Sequence, residues 1–128
     1  MIVTRAILIA ALLAASGVAQ AQVEIGGDMP APLRAAVAAY RSGDLRAAEV
    51  QLRLQAQNNP DAEAWLGAVL LDRGDNKEAL RLFKRSADAG SAEGQHRLAL
   101  VFAEGLAGTP RNEARAVELF EKAANSGH

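Results

Sequence analysis

The stretch SAEGQHRLALVFAEGLAGTPRNEARAVELFEKAANSG, residues 91–127, decides the fold. Its apolar residues recur at helical spacing on both sides of a break that holds Gly105, Gly108 and Pro110, so it reads as two amphipathic helices joined by a turn. Ser91 stands where an N-cap belongs, and Asn112 opens the second helix with another capping side chain.

Working back toward the N-terminus, the same unit recurs in weaker form. A helix near Pro32 runs through LRAAVAAYRS and stops before Gly43-Asp44; a second, LRAAEVQLRLQAQ, ends at Asn58-Asn59-Pro60-Asp61, where the residue before proline is pushed out of the helical region. A third helix is expected over Ala62 to Arg73 with Asp61 as its N-cap, and a fourth from Asn76 to about Ala89, with Gly90 as a C-cap. The even-numbered helices share a small-large-small stripe: Ala48/Leu52/Ala56, Ala79/Phe83/Ala87 and Ala116/Phe120/Ala124, separated by 31 and 37 residues. The triplets begin five, five and eleven positions after Gly43, Gly74 and Gly105, so the third unit carries six extra residues in its loop. Recurrence at this period marks a stacked array of helical hairpins. Alanine lets helix backbones approach, and the central Leu or Phe fills the space between neighbouring hairpins.

The N-terminus has a different character. One charge at Arg5 precedes the apolar run Ala6–Ala15, and Ala19-x-Ala21 offers small residues ahead of Gln22. That layout is a secretory signal peptide, and the apolar run is short of the roughly 20 residues a membrane span needs. Residues 1–21 are therefore expected to be removed, leaving a periplasmic or secreted protein with no stable membrane anchor. Residues 22–32, with Gly26-Gly27, Pro30 and Pro32, read as a flexible leader, and residues 33–127 as the repeat domain. The mature part carries 13 basic and 15 acidic residues and no cysteine. Packing alone must then stabilise one small domain, and the mixed charge gives no reason to expect nucleic acid as a partner.

The last unit resembles the Sel1-like subclass of the tetratricopeptide repeat superfamily. The residues that carry this are Leu98-Ala99, Phe102 and Gly105, then Asn112, Ala116, Phe120 and Lys122-Ala123-Ala124, closed by Gly127. Leu98-Ala99 stands where the family usually has Leu-Gly, and Asn112 where it usually has Asp. The middle unit, with Leu66-Gly67, Gly74-Asp75 and Phe83, looks more like an ordinary tetratricopeptide repeat; the first, with Tyr40, Gly43-Asp44 and Ala48, is the weakest match. The resemblance implies an all-α, right-handed solenoid of three antiparallel hairpins whose first helices line a concave groove.

Carried over by register, the groove takes Arg34, Ala38 and Arg41 from the first unit, Ala64, Ala68, Leu71 and Asp72 from the second, and Glu93, His96, Leu100 and Ala103 from the third. Small apolar positions with a few charges suit an extended peptide or a partner's helix; ordinary solvent-facing positions look the same in sequence. Trp65, the sole tryptophan, reads as packing between hairpins ahead of anchoring a ligand. Catalysis is not expected. His96 and His128 are the only histidines, and no metal-binding, phosphate-cradling or nucleophile motif is present. Neither a metal nor a cofactor is implied. Helix six carries Val117, Phe120 and Ala124 close to His128, an apolar edge that self-association through the C-terminal hairpin would cover, and that a fraying terminal unit would leave open. The expectation is an exported interaction module for a protein or peptide; the rival is a cell-envelope factor that binds peptidoglycan or a cell-wall enzyme through Arg34 and Arg41.

Overall fold

The computed structural model describes residues 29–127. The chain divides into two units, Met1–Pro30 and Ala31–His128, and all the described helices belong to the second. The expected signal peptide and most of the expected leader lie outside the described residues.

Among the described residues six helices follow one another: α1 (Ala31–Arg41), α2 (Leu45–Gln55), α3 (Pro60–Asp72), α4 (Asn76–Asp88), α5 (Ala92–Glu104) and α6 (Glu113–Asn125). Their ends are written in local chemistry. Asp44, Asp75, Ser91 and Asn112 each accept the backbone N–H three residues on, satisfying one orphan donor of the helix they open. Within each hairpin of the first two units a single Gly-Asp pair does two jobs. Gly43 and Gly74 take left-handed backbone at φ +87° and +89°, and the next N–H, from Asp44 or Asp75, reaches back to Ala39 O or Leu70 O to close a Schellman ending.

α3 starts two residues earlier than the sequence predicts. Its N-cap is Asn59, which accepts from Asp61 N and Ala62 N, and Pro60 occupies the first turn, where its missing N–H costs nothing. The Asp61 carboxylate, not needed as a cap, accepts from the Ser91 hydroxyl and so ties the start of α3 to the start of α5.

Consecutive helices pack on each other, and in addition α1 packs on α3 and α3 on α5; the second helices α2, α4 and α6 do not pack on one another, and a long Arg53–Glu78 side-chain pair is what joins α2 to α4. First helices therefore form the inner layer and second helices the outer one, an all-α solenoid. α3 lies at the centre and is buried over residues 62–70. Two glycines mark the closest helix crossings. A Cβ on Gly67 would stand 2.6 Å from Phe83 Cε1, and one on Gly94 would collide with Ser86 Oγ. Ser86 is itself held there, donating to Pro60 O at 2.6 Å.

The triplets of the first two units are largely in the core, with Ala48, Leu52, Ala79, Phe83 and Ala87 buried and Ala56 half-buried. The third departs from expectation. In α6 the buried stripe is Ala116, Leu119 and Ala123, while Phe120 is half-buried and Ala124 exposed. The reason is geometric: α6 packs on α5 alone among the described helices, so only the side facing α5 is covered.

A charge ladder runs down the outer side across the first two hairpins. Glu49 pairs with Arg53 at 3.0 Å and with Arg73, just past the end of α3, and Arg53 reaches Glu78 of α4 at 3.4 Å. The Arg53 hydrogen bond foremost, with the Arg53 and Arg73 charges, outweighs the burial of Glu49 and holds its carboxyl below the usual range. A depressed carboxylate adds stability above its unfolded pKa and loses it as pH falls through the folded value. Glu49→Gln should therefore flatten the acid side of the stability profile. At neutral pH it should cost less than about 1 kcal/mol, because these pairs are partly solvated; urea titrations of both proteins between neutral and acidic pH measure it.

Candidate functional site: a Trp65-centred junction in the inner layer

The first helices meet at Trp65. Trp65 is 6 % exposed, and the Arg97 guanidinium of α5 lies 4.5 Å from the centroid of its ring. From α1, Arg41 approaches the same ring at 5.7 Å, and Tyr40 meets it edge-on at 5.9 Å and 64°. One indole thus joins all three hairpins through a T-shaped aromatic pair and two cation–π contacts. Glu93, one turn before Arg97, accepts from its Nε at 2.8 Å and fixes the guanidinium over the ring.

The Tyr40 hydroxyl completes the junction. Burial pushes its pKa above the usual phenol range, hydrogen bonding and charge at Asp72 push it further, and Arg97 opposes them. Tyr40 is the sole tyrosine, so phenolate absorbance reads it alone. We expect an alkaline midpoint above the usual phenol value, and a lower one in Asp72→Asn, which removes the charge that opposes phenolate formation. A midpoint unchanged by the substitution would separate Asp72 from the junction.

The residues expected in the groove fall into three groups. Arg41 and Asp72 do converge, on Trp65 and Tyr40 respectively, and both are exposed. Leu71, Leu100 and Ala103 are half-buried and Ala38 is exposed, while Arg34 is half-buried on α1. Ala64 and Ala68, expected on the groove surface, are instead core at 0 and 2 % exposure, in a helix covered by four neighbours, α1, α2, α4 and α5. His96 packs its ring edge-on against Phe120 of α6, 5.6 Å away, so part of it faces its own hairpin. Tyr40 and Arg97 were not anticipated as groove residues from the sequence. A signal for Arg97 exists: it precedes Leu98 as Trp65 precedes Leu66, so both hold one register position in successive units.

No set of three or more His, Cys, Asp or Glu side chains among the described residues could hold a metal ion. Nor is any helix among them long and apolar enough to cross a membrane. The arrangement offers surface, charge and shape.

Stacked hairpins with an inner layer of first helices define a helical-repeat scaffold of the α-solenoid class. The family model of the Sel1 repeat matches residues 60–91 and 92–128, together more than half of the chain, and the chain belongs to that family. The middle hairpin, which reads as closer to an ordinary tetratricopeptide repeat, thus falls within a Sel1 match. No curated protein and no solved structure matches the chain. Sel1 repeats generally mediate protein–protein interaction, and the family is typically non-catalytic.

Proposed function

We propose that this chain is an exported interaction module that holds a partner protein or peptide along the inner layer of α1, α3 and α5. The observation that carries the reading is the Trp65 junction. Two arginines, a tyrosine and two carboxylates from three hairpins lock the first helices together at one point. A surface fixed in this way loses little conformational entropy on binding. Around the junction, Ala38, Leu71, Leu100 and Ala103 supply apolar surface and Arg41 and Asp72 supply opposite charges that set a partner's orientation.

Export rests on residues 1–21, whose layout is that of a cleaved secretory signal. An N-terminus at Gln22 in the exported protein supports it; retention of Met1 in the cytoplasm contradicts it. For the groove, the bait is the chain, and the extract comes from the compartment it reaches. Leu71→Glu and Leu100→Glu, each checked for unchanged helicity, should lose the captured protein. Capture that survives both changes would assign binding to another surface.

A further inference from the structure

The outer side of the solenoid carries a second surface that the groove reading does not use. A cleft of about 790 Å³ lies between the exposed flank of α4 and the tip of the α5–α6 loop. One wall of it exists because that loop, residues 105–112, is longer than the Gly-Asp turns at 42–44 and 73–75. The loop is a built wall. Thr109 N bonds Leu106 O, Arg111 Nε bonds Ala103 O, Asn112 N bonds Phe102 O, and Ala107 at its tip is held at φ +54°, a left-handed conformation an alanine rarely adopts.

The chemistry of the cleft is lopsided. Lys77, Arg81 and Lys84 stand at i, i+4 and i+7, one stripe of α4, and Leu80 and Ala107 bring apolar surface between them and the loop. The two carboxylates in the lining are already engaged: Asp75 caps α4, and Glu78 is shared by Arg53 and Arg81. Lys77 and Lys84 form no ion pair among the described residues. The lining therefore holds three basic side chains against two acidic ones, and Lys77 and Lys84 leave positive charge on the α4 side of an apolar floor that the loop borders on the other. Over seven helical residues the stripe extends about 10 Å, the span of about three extended residues of another chain.

We propose that this cleft docks an acidic segment of a partner protein, with carboxylates on Lys77 and Lys84 and an apolar side chain seated on Leu80 and Ala107. Charge complementarity selects the acidic partner, and the apolar floor distinguishes a peptide from a polyanion that carries charge alone. The site is independent of the inner layer, so a partner spanning both would gain avidity without either surface being strong.

The test uses the full chain labelled with nitrogen-15 and an acetylated peptide of repeated Glu-Glu-Leu triplets. The expected result is saturable shifts of backbone amides in residues 76–84 and 106–109, weakening as salt is added. Lys77→Glu/Lys84→Glu should weaken binding at least tenfold and Leu80→Gln about threefold or more, with the helical spectrum unchanged; Leu71→Glu in the inner layer should leave it intact. Polyglutamate or heparin binding as well as the peptide would overturn the proposal in favour of plain polyanion attraction. Shifts confined to α1, α3 and α5 would overturn it while leaving the groove reading standing. No saturable shift at millimolar peptide would overturn it outright.

Discussion

Phe83→Ala should destabilise the domain by about 3–5 kcal/mol, the cost of emptying a buried phenylalanine site that cannot collapse. Phe83 is 1 % exposed and lies beneath Gly67, where α3 and α4 come close enough that a Cβ on that glycine would collide with its ring. The void would open in the central hairpin, against which both neighbours pack. Against the roughly 5–15 kcal/mol that stabilises a typical domain, the loss is large. Urea unfolding followed by far-ultraviolet circular dichroism and by Trp65 fluorescence measures it. Phe120 occupies the corresponding place in the third unit but is only half-buried. Phe120→Ala should accordingly cost roughly half as much or less, since the lost burial sets the penalty. Equal costs at the two positions would contradict the account of which face each helix covers.

The second large effect is expected at Gly94. Helix propensity alone says that Gly94→Ala should stabilise α5, by about 1 kcal/mol. Packing says the opposite. The new Cβ would collide with Ser86 Oγ and stand 2.6 Å from Ser86 Cβ and 2.7 Å from Ala87 N. Ser86 cannot swing aside without losing its bond to Pro60 O, and Ala87 N is backbone. Helices α4 and α5 must therefore move apart, and overpacking of this kind costs about 1–3 kcal/mol. Ser86→Gly in the Gly94→Ala background should recover only part of the loss, because the backbone contact remains. A Gly94→Ala protein that melts at or above the parent temperature would show that the crossing is looser than described.

These two positions also mark what the sequence can and cannot disclose. The Gly-Asp pairs at 43–44 and 74–75 announced their turns, since each joins a left-handed residue to an N-cap, and the Ala-x-x-x-Leu/Phe-x-x-x-Ala spacing placed the second helices. At the start of α3 the local signals compete. Asn59 and Asp61 both make good caps, and the choice fell to Asn59 because Pro60 fits the first turn and Ser91, thirty residues on, engages Asp61. Pro60 is the local half of that information; the Ser91 contact is not visible from residues 58–62.

For the inner layer, the family resemblance carried over by register assigned Arg34, Arg41, Leu71, Asp72, His96 and Leu100 to a groove, and of these Arg41 and Asp72 meet at the Trp65 junction, on Trp65 and Tyr40. Burial was not legible. Ala64 and Ala68 are core in a helix that packs against α1, α2, α4 and α5, and the helical period within α3 does not disclose how many neighbours cover it. Tyr40, Trp65 and Arg97 come together across three hairpins, so their association also required the superhelix. The cleft beside α4 had a trace in the six extra loop residues. Its charge emerged only when Glu78 was found engaged by Arg53 and Arg81.

The central proposal, that the inner layer is the surface a partner occupies, is tested most directly by hydrogen exchange of the chain with and without the protein it captures. The account predicts slowed exchange in α1, α3 and α5 around Arg41, Leu71 and Leu100. Protection confined to α2, α4 and α6 would contradict it.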